Sequence, residues 1–103
     1  MKVFINDKEL LNLYKTGRSK KMKLPDDVIN KFFATVQKIE SAVIIYDLWK
    51  NPGLNFEKLK GYKNRYSMRL TGKFRLEMEI TWTNTDQTTG VFYLLTISAH
   101  YRD

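Results

Sequence analysis

The hydrophobic positions in the first half of the chain recur at helical spacing. Apolar side chains stand three or four positions apart at Ile29, Phe32, Phe33, Val36 and Ile39. Pro25 precedes them, and proline is well accommodated in the first turn of a helix. This pattern predicts a helix over about residues 25–41.

A shorter helix is predicted upstream of it. One helical stripe is formed by Leu10, Leu13 and Tyr14. Asn6 and Glu9 have the spacing of an N-terminal capping box, and Gly17 is a typical residue at a helix end. The segment "IIYDLW" favours one further helical turn, which "KNPGL" would end.

The second half changes to a period of two. Apolar residues alternate with polar ones in "RYSMRL" and again in "FRLEMEITW", which predicts two strands with one polar face each. The segment "VFYLLTI" is almost continuously apolar and therefore predicts a buried inner strand, while "MKVFI" is a candidate first strand. Helices followed by a mainly antiparallel sheet indicate an α+β fold, and we expect one domain over residues 1–103.

The register of the predicted hairpin follows from the same alternation. A two-residue loop at Thr71-Gly72 would pair polar with apolar positions along both strands. A three-residue loop, Thr71 to Lys73, instead places all the apolar side chains on one face. It also places Arg69 opposite Arg75 and Arg65 opposite Glu79.

These pairs have opposite electrostatic consequences. Arg65 and Glu79 would attract, whereas Arg69 and Arg75 would repel each other mildly. An anion between the two guanidinium groups removes that repulsion, and the arginine fork is well suited to phosphate. The alternative is that both arginines extend separately into solvent.

The charge of the chain is strongly positive. It has 18 Lys and Arg against 11 Asp and Glu, a formal charge of +7, and the segment from Lys58 to Arg75 contains no acidic residue. Such a charge favours polyanionic partners such as nucleic acid, although it also serves solubility. There is no cysteine, which excludes disulfides and thiolate metal sites. No apolar run reaches the length of a signal peptide or membrane span, so we expect a cytoplasmic protein without membrane contact.

The C-terminal segment holds the candidate acid–base groups. His100 is the only histidine of the chain and titrates near neutral pH, which suits proton transfer, although a lone surface histidine is the plainer interpretation. Tyr101 is the alternative proton donor, and Tyr62 is a candidate for stacking on a base. The acidic residues are scattered, so we expect no metal or other cofactor.

Four stretches, in order, resemble the HigB branch of the RelE/ParE toxin superfamily over nearly the whole chain. They are "LYKTGRSKK", "LNFEKLKG", "RYSMRLTGKFRLEMEI" and "AHYRD". The resemblance implies the toxin of a toxin–antitoxin pair, with a microbial-RNase-type fold, that cleaves mRNA without metal in the A site of the 70S ribosome. It also implies a HigA-type helix-turn-helix antitoxin as partner, in a complex that binds operator DNA. The ParE relatives poison DNA gyrase instead.

The resemblance also assigns roles to individual residues. Lys60 matches a basic residue at the RNA backbone and is a catalytic candidate, which would hold the phosphate or help to activate the 2′-OH. Arg69 and Arg75 match arginines that contact the scissile phosphate. The acid–base position falls on His100 or Tyr101, because this chain reads Ala-His-Tyr where some HigB chains end Asp-Tyr-His. Further RNA- or ribosome-binding candidates are Lys58, Lys63, Arg65, Lys73, Lys20 and Lys21. A gyrase poison, a non-catalytic RNA-binding protein and a corepressor remain alternatives.

Overall fold

A computed structural model describes residues 1–99 and has an α+β architecture. The strands are β1 (Val3–Ile5), β2 (Glu57–Lys58), β3 (Arg65–Arg69), β4 (Phe74–Trp82) and β5 (Gly90–Ala99). The helices are α1 (Lys8–Thr16), α2 (Asp26–Ser41) and α3 (Tyr46–Trp49), followed by a 3-10 turn at Pro52–Leu54. None of the helices in this part of the chain is long and apolar enough to cross a membrane.

The five strands form one mixed sheet in the order β1-β5-β4-β3-β2. β1 runs parallel to β5, with Val3 opposite Phe92 and Ile5 opposite Leu94, and the other neighbours are antiparallel. The apolar strand β5 is therefore an inner strand, as its sequence predicts. The first strand of the chain pairs with the last one, so the two ends of the described chain lie in adjacent strands.

The structure confirms the predicted apolar stripe of α1 but not the predicted capping box at its N-terminus. The N-cap is Asp7, whose carboxylate accepts a hydrogen bond from the Leu10 N–H at 2.9 Å. The expectation of a capping box at Asn6 is wrong because Glu9 turns away to accept a hydrogen bond from the Ser19 hydroxyl at 3.0 Å. Gly17 ends the helix as predicted, in the left-handed conformation with φ 74°.

The second helix packs its predicted apolar face into the core. α2 covers Asp26–Ser41, with Pro25 at the N-cap position, and Phe32 and Ile39 are fully buried. Its stripe joins the buried residues of α1 and the apolar faces of β3, β4 and β5 in one hydrophobic core. The helices therefore cover one face of the sheet, and the other face carries the polar side chains of the strands.

The hairpin between β3 and β4 has the predicted register. Arg69 lies opposite Arg75 and Arg65 opposite Glu79. The Leu70 N–H donates to the Phe74 carbonyl at 2.9 Å, which closes a loop of three residues, 71–73. These pairs confirm the predicted register. Its physical reason is that a shift by one residue would exchange the core face and the polar face of the strand.

Candidate nucleic-acid interface

The polar face of the sheet is organised in three rows that run across the strands. The arginine row contains Arg69, Arg75 and Ser98, the middle row Glu57, Ser67, Glu77 and Thr96, and the aromatic row Arg65, Glu79, Tyr93 and Phe4. Neighbouring rows are two residues apart along a strand, which corresponds to about 7 Å. The pairing register thus sets which side chains are neighbours on this face.

The arginine row combines one exposed and one buried guanidinium group. Arg69 is exposed, whereas Arg75 keeps only 4% of its surface accessible. Ser67, in the middle row, is 1% exposed. The polar face is therefore not uniformly exposed to solvent, because its central positions are covered by the side chains around them. A cation in such a surrounding attracts an anion more strongly than one in bulk water.

A β-bulge brings hydroxyl groups to this face. Glu77 pairs with Thr96 but Met78 pairs with Leu94, so Leu95 is an extra residue in β5. The extra residue reverses the alternation, and Ser98 consequently lies opposite Arg75. Within the described residues, the buried hydroxyl oxygens of Ser98 and Ser67 have no hydrogen-bond partner.

The predicted acid–base residues follow directly in the sequence. Ala99, the last described residue, pairs with Phe74 beside the arginine row. His100 and Tyr101 lie outside the described residues, so their role stays a prediction. The shared side of Thr96 and Ser98 agrees with the alternation expected from the sequence.

The predicted basic residue Lys60 is separated from the arginine row. It lies in an exposed turn after β2, and the neighbouring Leu59 N–H donates to the Arg65 carbonyl at 2.8 Å. Arg65 is four residues from Arg69 along β3, which is about 13 Å. Lys60 therefore lies beyond the far end of the polar face from Arg69.

Two other basic candidates of this segment flank the polar face, one at each end. Lys63 in the loop before β3 is exposed on the side of Lys60. Lys58 in β2 is also exposed, but it pairs with the core residue Tyr66 and so lies on the other face of the sheet. Lys73 is exposed in the turn beside the arginine row. The long basic segment thus supplies cations at the two ends of the face rather than one cluster.

Arg65 makes a different ion pair from the expected one. Its Nη2 and Nε lie 2.9 Å and 3.1 Å from Oε1 of Glu77, diagonally across the hairpin, and the directly opposed Glu79 is not its partner. The Tyr62 ring stacks on the same guanidinium, 4.7 Å from its carbon to the ring centroid. The register fixes which residues lie directly opposite each other on neighbouring strands, but long side chains also reach diagonal neighbours.

The second basic patch lies in the helix layer. Lys20 and Lys21 are exposed in the connection between α1 and α2. Lys20 also lines an open surface pocket of about 530 Å³ together with Arg18, Ser19 and residues of α1. Because both helices pack on the core side of the sheet, this patch is separated from the arginine row by the sheet.

Two aromatic residues of the polar face were not expected from the sequence. Phe4 is 46% exposed and stacks on Tyr93, with ring centroids 5.7 Å apart and an interplanar angle of 19°. Both belong to segments predicted as strands, but the alternation alone does not tell that β1 and β5 are neighbours. No local signal in the sequence marks this pair.

The chemical groups on this face are cations, hydroxyls and aromatic rings. Within residues 1–99, no three acidic or histidine side chains come close enough together to hold a metal ion. Arginine forks bind phosphate, and exposed aromatic rings stack on bases. The arrangement is suited to binding a nucleic-acid strand.

The comparison with solved structures supports the fold. A structure described as a YoeB/ParE toxin from Agrobacterium tumefaciens superposes with a TM-score of 0.58, covering 98% of this chain and 100% of that chain. The two sequences are 14% identical, so the likeness is one of fold. No protein-family model and no curated protein matches the sequence.

Proposed function

We propose that this chain is the toxin of a type II toxin–antitoxin pair, of the HigB type, and that it cleaves mRNA without a metal ion. The arginine row carries the proposal. Arg69 and Arg75 stand directly opposite each other, and Ser98 stands next to Arg75. Two like charges in register are unfavourable by themselves, and a phosphate bound between them makes the arrangement favourable.

The chemistry needs few groups because RNA contains its own nucleophile. The ribose 2′-oxygen attacks the adjacent phosphorus, loses its proton to a base, and forms a pentavalent phosphorane. The bond to the 5′-oxygen then breaks, and an acid protonates that oxygen. The products are a 2′,3′-cyclic phosphate and a 5′-hydroxyl end, with no external water in this step.

The residues take the following roles in this proposal. Arg69 and Arg75 stabilise the negative charge of the phosphorane, and removal of one such donor typically slows a reaction by about 100-fold or more. His100 serves as acid or base, with Tyr101 as the alternative, an effect of roughly 100- to 10,000-fold. Lys60 binds the RNA backbone at the far end of the face, several nucleotides from the scissile phosphate.

The proposed partners follow from the resemblance and the charge. We expect a HigA-type helix-turn-helix antitoxin, with which the chain forms a complex on operator DNA. We expect cleavage of mRNA in the A site of the 70S ribosome, because few acid–base groups are present and the ribosome can orient the message for attack. Lys20 and Lys21, on the helix layer, are then positioned for ribosomal RNA rather than for the cut strand.

The test is primer extension on a defined mRNA in a reconstituted translation system. Wild type is compared with Arg69→Gln and His100→Ala, with and without ribosomes, and with EDTA in the arm that contains RNA alone. Lys31→Gln, an exposed cation of α2, is the matched control. The proposal expects A-site cuts that both active-site variants lose and the control retains.

Other outcomes assign the function differently. Cuts that persist in His100→Ala but disappear in Tyr101→Phe move the acid–base role to Tyr101. A 3′-hydroxyl at the cut contradicts the mechanism, since it requires an external water. If wild type cuts nothing yet blocks gyrase supercoiling, the ParE-like alternative is correct. Binding of RNA without any product would indicate a non-catalytic protein.

A further inference from the structure

We propose that Phe4 and Tyr93 form a stacking site for a nucleobase of the same single-stranded RNA whose phosphate binds at the arginine row. This inference rests on the proposed function and adds a second contact for its substrate. The ligand is an unpaired base of RNA, held against this aromatic pair. Both rings lie on the polar face and neither belongs to the hydrophobic core.

The position of Phe4 is unusual for an aromatic residue. Phe4 is 46% exposed, whereas its neighbours in β1, Val3 and Ile5, pack against the core. It lies nearly parallel to the Tyr93 ring, at 19°, so the two rings form an ordered aromatic stack at the edge of the sheet. Proteins that bind single-stranded nucleic acid combine such surfaces with a positively charged path for the backbone.

The distance between the two sites fits one short strand of RNA. Tyr93 lies opposite Glu79, and Ser98 lies opposite Arg75, four residues away along β4. This separation is about 13 Å along the strands, and the arginine pair and the aromatic pair are also two strands apart, about 10 Å, so the two sites are roughly 16 Å apart. A stacked nucleic-acid strand advances about 3.4 Å per nucleotide, so roughly five stacked nucleotides, or fewer extended ones, reach from one site to the other.

The two ends of the polar face differ in charge and therefore bind different parts of a nucleotide. The arginine row presents cations, which bind phosphate. In the aromatic row the Arg65 guanidinium is paired with Glu77, and the exposed Glu79 carboxylate lies beside Tyr93. A phosphate is disfavoured beside Tyr93, whereas a neutral base is not, so we expect stacking at the β1–β5 edge of this row. Lys60 lies at the opposite edge, beside β2 and β3.

The first experiment measures binding of a labelled single-stranded RNA with 2′-O-methyl riboses, which cannot be cleaved, by fluorescence anisotropy. We expect Phe4→Ala to weaken binding by roughly 5- to 150-fold, the range typical of one lost base-stacking contact. Phe4→Trp should retain the affinity. Tyr46→Ala is the control, because Tyr46 is 60% exposed on α3 in the helix layer. Thermal unfolding of each variant verifies that it is folded.

The second experiment moves a single abasic nucleotide along the same RNA. Wild type should lose affinity at one or two adjacent positions, and Phe4→Ala should be insensitive to the abasic position. Tyr93→Leu, which keeps an apolar side chain without an aromatic ring, should behave like Phe4→Ala.

The outcomes separate this inference from the function on which it rests. If Phe4→Ala binds like wild type and the abasic scan is flat, while Arg69→Gln still weakens binding, the stacking site is refuted and the arginine site stands. If wild type binds no free RNA, the stacking site is refuted, and the cleavage assay with ribosomes decides the proposed function separately. A loss of affinity in Tyr46→Ala equal to that in Phe4→Ala also refutes the stacking site, since it would place the contact elsewhere.

Discussion

The opposed arginines of the arginine row should lower the stability of the free protein. Arg69 and Arg75 are direct neighbours across β3 and β4, and Arg69 makes no ion pair with the described residues. Two unit charges about 6 Å apart repel by about 0.7 kcal/mol in water and by about 3 kcal/mol at an effective dielectric constant of 20. Arg69 is exposed to solvent, and Arg75 also interacts with other groups of the protein, so we expect a repulsion towards the lower of these two values.

We therefore expect Arg69→Gln to raise the free energy of unfolding by about 1 kcal/mol at low ionic strength. Glutamine keeps most of the aliphatic stem and removes the charge. In a domain of this size the change raises the melting temperature by roughly 4–8 °C. The same variant should lose RNA cleavage by about 100-fold or more, because the lost group stabilises the phosphorane. Stability and activity change in opposite directions.

Arg65→Gln is the matched control on the same strand. It removes an ion pair with Glu77 in which the two side chains are 25% and 14% exposed. We expect this variant to lower the free energy of unfolding by about 1–2 kcal/mol, since a charged hydrogen-bond partner is lost. Two Arg→Gln changes four residues apart should thus have opposite signs.

Urea unfolding, followed by tryptophan fluorescence at low and high salt, measures both variants. The gain from Arg69→Gln should disappear at high salt, where the screening length falls to about 3 Å at 1 M. A gain that is absent at low salt would mean that solvent separates the two guanidinium groups, and a gain that persists at high salt would mean that its origin is not charge repulsion. Either result would refute the reasoning. Inorganic phosphate should stabilise wild type more than Arg69→Gln.

Three further predictions concern the scaffold. In Gly90→Ala the new Cβ would lie 2.8 Å from Cγ2 of Ile80, so we expect the free energy of unfolding to fall by about 1–3 kcal/mol. Gly72→Ala is the control and should be close to neutral, because a Cβ at Gly72 meets open space. Met78→Ala, at a fully buried position of β4, should cost about 2–5 kcal/mol in urea unfolding, and a cost under about 1 kcal/mol would contradict its central place in the core. Backbone N–H groups just before α3 donate hydrogen bonds to Asp47 and hold the pKa of its carboxyl group below the ordinary value of 3.8. The ionised carboxylate therefore stabilises the folded protein above pH 3.8, and this stabilisation is lost as the pH falls through the lower pKa of the folded state. The stability difference between wild type and Asp47→Asn should accordingly shrink on acidification, and a constant difference in melting temperature from neutral to acidic pH would contradict this.

The fold class and the hairpin register were predictable because side-chain periodicity is a local property. A period of 3.6 residues defined α2 to within a residue or two of Asp26–Ser41. A period of two defined the apolar faces of β3 and β4, and only an odd loop could align them, which placed Arg69 opposite Arg75. These conclusions need no knowledge of distant parts of the chain.

The tertiary structure decided the features that depend on residues far apart in the sequence. Only the pairing of β1 with β5 brings Phe4 beside Tyr93, and only the bulge at Leu95 brings Ser98 to Arg75. Arg65 forms its ion pair with Glu77 rather than with Glu79, because the strand register does not fix the direction of a long side chain.

The sequence by itself thus determined the elements other than β2, their polar and apolar faces and the opposed arginines, since each follows from short-range alternation. The sheet order, the bulge and the burial of Arg75 were decided by packing of the whole chain. The physical reason is that burial and strand order depend on how all elements share one core, and no window of neighbouring residues contains that information.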